Sequence, residues 1–151
     1  MNKKRILITS LVASLMLAGV SIFAQVSRPY RNGSVWDIAF IRMKPGMGTA
    51  YLNYLANDWK RIQEAAKREG LILSYKVLVT EAHSGEDWNL ILLTEYKDLA
   101  TMEANEAKGD AFAQKVVGDD QKQMQGYKER LEIREVVGSR LAREIVLEPR
   151  R

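Results

Sequence analysis

Along this chain the spacing of hydrophobic positions changes several times. Residues 6–20 (ILITSLVASLMLAGV) are almost uniformly apolar and follow the basic run Lys3, Lys4 and Arg5. Residues 34–43 (SVWDIAFIRM) alternate as a strand does, with Trp36, Ile38 and Phe40 on one face and Val35, Ala39, Ile41 and Met43 on the other. Both faces are apolar, which predicts a strand covered on both sides. Pro45-Gly46 stops it. From 47 to 69 the period becomes helical. Tyr51, Leu55, Trp59, Ile62 and Ala66 share one face, and Asn53, Asn57, Lys60, Glu64 and Lys67 fall opposite. Gly70 supplies the left-handed stop.

Residues 71–80 (LILSYKVLVT) and 88–96 (WNLILLTEY) predict two further strands. The polar stretch 81–87 (EAHSGED) between them reads as a hairpin loop, so they should pair antiparallel. Asp98 is placed to cap a helix that starts at Leu99 and turns Leu99 and Met102 inward. Gly109-Asp110 and Gly118-Asp119-Asp120 should break that region, leaving a longer helix from about 121 to 137. Leu131, Ile133 and Val137 also suit a strand, and Gly138-Ser139 also suits a hairpin turn. The Gln, Lys, Glu and Arg content of 121–135 favours helix to Val137, with Gly138 ending it and residues 140–148 forming the last strand. Leu141, Ile145 and Leu147 would then share a face.

The order strand, helix, strand, strand, helix, strand predicts an α+β, ferredoxin-like βαββαβ fold, a four-stranded antiparallel sheet with helices on one face. Two helices on one side leave the second apolar face of the strands uncovered. The simplest cover is the sheet of a second subunit, so a homodimer is expected. The layout resembles the dimeric α/β-barrel superfamily, which includes antibiotic-biosynthesis-type monooxygenases. The resemblance rests on Met43-Lys44-Pro45-Gly46, the helix from Tyr51 to Ala66 with Trp59, the turn at Gly70 with strand 71–79, and Arg143-Glu144-Ile145-Val146. It implies two ferredoxin-like subunits with paired sheets. Members include oxygenases, haem-degrading enzymes, isomerases and proteins with no known activity, so the likeness does not select a reaction.

The N-terminal apolar run changes the picture next. Residues 1–24 read as a secretory signal cleaved before Gln25, which predicts a secreted or periplasmic bacterial protein with no membrane association after cleavage. The rival is an anchor that is kept, weakened by Thr9, Ser10, Ser14 and Ser21. The mature chain divides into an extended leader (25–33), the folded domain (34–148) and a tail (149–151). Asn32-Gly33-Ser34 reads as a turn. The whole chain of 151 residues carries 23 basic and 19 acidic side chains, a charge of +4 that suggests an anionic partner. Lys3, Lys4 and Arg5 leave with the signal while every acidic residue stays, so the mature charge is only +1. With Asp58, Glu64 and Glu69 interleaved among Lys60, Arg61, Lys67 and Arg68, no nucleic-acid surface is expected. The absence of Cys excludes disulfides, thiolate metal sites and a cysteine nucleophile.

Among candidate chemistries, His83 with Glu81, Glu86 and Asp87 has metal-ligand character. All four sit in one short loop, where solvation is the better account, and no metal is expected. Haem-degrading relatives use an Asn, a Trp and a His inside the subunit. Here Trp88 and Asn89 open a strand on opposite faces and His83 lies in the loop, so no haem or other cofactor is expected. Trp36, Phe40, Tyr51, Trp59 and Tyr75 can line a pocket between sheet and helices, although their spacing is equally that of core aromatics. Asp37, Arg42, Lys76, Glu95, Arg143 and Glu144 are charges within strands, and Arg42 or Arg143 could hold a ligand carboxylate. No phosphate loop, dinucleotide fingerprint, nucleophile elbow or Ser-His-Asp triad is present. These readings lead to a homodimer that binds a small apolar ligand. The alternative implied by the resemblance is a cofactor-independent monooxygenase or isomerase acting on a small aromatic or polyketide-like substrate, with Tyr51, Trp59 and an arginine at its site.

Overall fold

Strand β1 (Tyr30–Met43) is the first element of the computed structural model, which describes residues 28–148. The expected signal (1–24), the start of the leader and the tail (149–151) lie outside the described residues. After a turn, helix α1 (Gly48–Tyr54), a π-helical stretch (Leu55–Trp59) and helix α2 (Lys60–Arg68) follow one another without a break. Then come β2 (Ser74–Val79), β3 (Leu90–Tyr96), α3 (Leu99–Ala104), α4 (Glu106–Val116), α5 (Asp120–Ile133) and β4 (Arg134–Leu147). The sheet order is β2-β3-β1-β4, and every neighbouring pair is antiparallel. This is the ferredoxin-like α+β fold that the strand and helix order predicts.

Local chemistry explains most boundaries. Gly46, at φ 75°, completes the turn that ends β1, and the Met47 N–H donates to the Lys44 carbonyl at 2.9 Å. After α2, Gly70 sits at φ 70°. Its N–H donates to the Lys67 carbonyl and that of Leu71 to the Ala66 carbonyl, the paired bonds of a Schellman stop. Asp98 caps α3 by accepting from the Thr101 N–H at 2.7 Å, and Asp119 caps α5 by accepting from Lys122 at 2.9 Å. In the π-helical stretch the Asn57 amide donates to the Asn53 carbonyl at 2.8 Å, supplying a partner where the wide turn disturbs the helical ladder.

One side of the sheet carries the helices. Ile41 and Leu90 are fully buried there against Tyr51 and Leu55, with Ala39, Met43, Leu92, Trp59 and Ile133 around them. The register puts Trp36, Ile38 and Phe40 of β1 on the other side, with Ile91 and Leu93 of β3.

Several expectations need correction. β1 begins at Tyr30, so residues 30–33 belong to the strand, and Asn32-Gly33-Ser34 forms a bulge rather than a turn. Gly33 suits the bulge because a Cβ there would lie 3.0 Å from the Glu144 Cβ. Gly109 does not break a helix. It lies inside α4, and the break falls at Asn105. One glycine costs a helix only about 1 kcal/mol, which its neighbours offset. Leu99 is exposed, while Met102 turns partly inward.

The largest correction concerns residues 134–139. The helix ends at Ile133, and a single strand runs through Gly138 to Leu147. Arg134 pairs with Met43 and Val136 with Ile41, and a bulge at Val137 restores pairing between Gly138 and Phe40. A helix reaching Val137 would leave this edge of β1 without partners for its backbone groups, and the ladder outweighs the helical propensity of the local side chains. Leu141, Ile145 and Leu147 do share a face, but they are 55%, 51% and 75% exposed. The apolar floor of the domain therefore ends before β4 does.

Candidate functional site

The expected site residues divide between the two sides of the sheet. On the open side three cross-strand rows form a grid. Leu78, Ile91, Phe40 and Gly138 make one row. Lys76, Leu93, Ile38 and Arg140 make the next, and Ser74, Glu95, Trp36 and Ala142 the third. Phe40 packs on Trp88 at 5.1 Å between ring centroids, and the Lys76 ammonium lies 5.1 Å from the Trp36 ring. The centre of this surface is apolar and its flanks carry both signs of charge.

Arg42 stands at the end of the same surface and is occupied. Its guanidinium pairs with Glu135 at 2.6 Å and Glu86 at 3.2 Å, and it donates to the Gly85 carbonyl at 3.3 Å. The Glu135 hydrogen bond is the main cause of its raised pKa. Arg42 thus ties the 81–87 loop to β4 instead of offering itself to a ligand. Within that loop the Asp87 carboxylate accepts from the backbone N–H of His83 at 2.9 Å. Arg143 is exposed on β4 opposite Val35.

On the helix side Tyr51 is 1% exposed and stacks with Tyr54 at 5.9 Å. Burial pushes the Tyr51 hydroxyl up to about 12, although Arg134 and Arg130 pull it down. Tyr54 is raised in the same direction by the same cause. Trp59 meets Tyr75 edge to face at 5.2 Å, and the Tyr75 hydroxyl donates to Glu64 at 2.5 Å. That bond is the first cause of the raised Tyr75 pKa. The fold thus brings Trp59 and Tyr75 together and seats Tyr51 in the core. It puts Trp36, Phe40 and Arg42 across the sheet from them.

A further cavity lies elsewhere. A cleft of about 700 Å³ opens between α2, the end of β3, α3 and α4. Its walls include Ile62, Ala66, Ile72, Met102 and Phe112, with the Tyr96 ring beside them. Glu103, Glu106 and Asp110 also line it, and none of the three is ion-paired among the described residues. Burial raises the Tyr96 hydroxyl, and the Asp37 carboxylate adds to the shift. Asp37 is itself raised by desolvation, partly offset by a hydrogen bond from the Ile38 backbone. None of the seven residues expected at a pocket lines this cleft. The available signal was Met102 and Phe112, apolar side chains in a broken, polar helical region with no obvious partner.

No protein-family profile and no curated protein matches the chain. Among solved structures, it is similar to a dimeric ferredoxin-like protein from an uncultured marine organism. The two share 17% sequence identity, the match covers 80% of this chain and 98% of the other, and the TM-score is 0.37.

Proposed function

We propose that this protein is a secreted, homodimeric binding protein for a small and largely apolar molecule held in the α2–α3–α4 cleft. The observation that carries the reading is the cleft itself: about 700 Å³ of space with an apolar wall and three carboxylates that have no ion-pair partner among the described residues. That size and lining suit a small-molecule site. The carboxylates favour a ligand with a hydrogen-bond donor or an amine at one end.

The homodimer rests on the open grid, where Trp36, Ile38, Phe40, Ile91 and Leu93 form a continuous apolar centre. Lys76, Glu95 and Arg140 beside it supply both signs of charge, so a second copy related by a two-fold axis meets a complementary border. Secretion rests on the character of residues 1–24, and mature protein beginning at Gln25 by mass spectrometry is the expected result. The oxygenase alternative asks for the aromatic residues and an arginine around one substrate. Trp36, Phe40 and Arg42 lie across the sheet from Tyr51, Trp59 and Tyr75, so binding is the better-supported reading.

Gly109 provides the test. It lines the cleft from within α4, and a Cβ built there meets nothing within 4 Å. Gly109→Phe should fill the cleft while removing a helical glycine. Binding of the neutral apolar dye Nile red, followed by fluorescence, should fall at least tenfold with the melting temperature unchanged or higher. Equal dye binding by both proteins would refute the cleft as the site.

A further inference from the structure

Strand β2 forms one edge of the sheet, and among the described residues only β3 pairs with it. The Thr80 N–H donates to the Asn89 carbonyl at 3.0 Å, which continues the β2–β3 register past Val79. Bonded and non-bonded pairs alternate along an antiparallel ladder. Leu78–Ile91, Lys76–Leu93 and Ser74–Glu95 are therefore the bonded pairs. The N–H and C=O groups of Tyr75, Val77 and Val79 point away from β3, out of the edge of the sheet. Apolar side chains stand in the open there: Val77, Leu78 and Val79 are 37%, 46% and 65% exposed.

Such an edge invites another strand unless charges, proline, a bulge or an overlying loop guard it. Among the described residues none of these is in place along β2. Its one charge, Lys76, leans inward over the sheet, with its ammonium 5.1 Å from the Trp36 ring on β1, beyond β3. The 81–87 loop is tied toward β1 and β4 by Arg42, which donates to the Gly85 carbonyl and pairs with Glu86. No proline or glycine interrupts residues 71–80, and the β2–β3 register has no shift. The opposite edge, β4, is guarded by its bulge at Val137 and by exposed Arg140, Arg143 and Glu144.

We propose that the β2 edge takes β2 of a second copy of this chain, antiparallel, about a two-fold axis at Val77. In that register Val77 faces Val77 of the second copy and Tyr75 faces its Val79. Every outward N–H and C=O of Tyr75, Val77 and Val79 then finds a partner. The Tyr–Val and Val–Val pairs lie on one side of the new ladder, where such cross-strand pairs are favourable. On the other side Lys76 faces Leu78 of the second copy. An axis at Lys76 would set two lysines face to face instead, which disfavours that register. The strand is thus complementary to itself, and this selects a second copy over an unrelated extended segment. The contact joins sheets edge to edge, so it is independent of the pairing through the open face and of the α2–α3–α4 cleft. One strand pair is a small interface, and association belongs to high protein concentration.

Amide hydrogen exchange followed by NMR at about 0.05 mM and about 1 mM tests this, in the parent and in Ile38→Glu, where a carboxylate opposes pairing through the open face. In both proteins the amides of Tyr75, Val77 and Val79 should slow by about fivefold or more at the higher concentration. Those of Lys76 and Leu78, bonded to β3, should be protected at both. Val77→Pro should remove the concentration dependence and keep the melting temperature within about 5 °C of the parent, because that N–H is outside the ladder. Leu78→Pro, which breaks a bond to Ile91, should melt far lower. Val77→Lys keeps the backbone N–H and sets two ammonium groups on the axis, so it should also remove the dependence, and it decides the matter should Val77→Pro not fold. The proposal fails if exchange at Val77 and Val79 is the same at both concentrations in either protein. It fails equally if the slowing falls on β4 amides instead, or if Val77→Lys shows the same slowing as the parent.

Discussion

Ile38→Glu tests the pairing of two sheets at its most sensitive point. Ile38 sits in the middle row of the open face, between Leu93 on β3 and Arg140 on β4. Four strands about 4.8 Å apart and three rows about 6.8 Å apart give a projected surface of roughly 400 Å². Side-chain relief raises the accessible area to roughly 600–800 Å² per subunit, which reaches the lower range of stable interfaces. Such an interface has little reserve. Replacing Ile38 removes about 1–2 kcal/mol of apolar burial and adds a carboxylate whose desolvation costs about 2 kcal/mol or more. A two-fold axis counts both terms twice, so association should weaken by about 6 kcal/mol, roughly four decades in Kd. The isolated subunit should be indifferent, because the position faces outward there and Arg140 lies beside the new carboxylate. Sedimentation velocity at micromolar concentration should report a dimer for the parent and a monomer for the variant, with matching far-UV circular dichroism. A parent protein that sediments as a monomer refutes the pairing. A variant that remains dimeric places the interface elsewhere.

Three further outcomes follow from single side chains. Gly70→Ala should lower stability by about 1–2 kcal/mol in denaturant titration, because φ is +70° and only backbone strain opposes a methyl group there. Asp98→Asn should keep the α3 cap but flatten the acid side of the stability profile. The Thr101 N–H lowers the Asp98 pKa in the folded protein, so the cap contributes fully above the unfolded pKa and is lost as pH falls through the folded one. Thermal melts between pH 6 and 3 check it. Tyr51→Phe acts on the alkaline side: with its hydroxyl raised to about 12, Tyr51 contributes fully below its unfolded pKa and loses that contribution as pH rises toward the folded value. The parent should lose about 1 kcal/mol more than the variant between pH 8 and 11 in urea titrations.

What could be read directly from the chain was whatever depends on near neighbours. The face carrying Tyr51, Leu55 and Ala66 is a matter of helical period, and these three are the buried residues of that helical region. Gly70 and Asp98 act through bonds to residues at most five positions away, and both do what their types suggest. The segment after Ile133 is different. Its backbone is drawn into the sheet by the free edge of β1, a partner about a hundred residues earlier that no local pattern reports. The same pairing sets the surroundings of Arg134. A helix carried on to Val137 puts Arg134 on one more solvated turn among Lys, Glu and Gln, where an unpaired arginine means nothing. Ended at Ile133, the same chain makes Arg134 the first residue of β4, opposite Met43 and under the Tyr51 ring, where an unpaired arginine demands a partner. Arg42 and Arg143 look suitable for a carboxylate because both lie within expected strands, yet one is held by Glu86 and Glu135 and the other is exposed. Where the last strand begins therefore decides whether Arg134 is one more solvated side chain or a buried one, and β1 makes that decision.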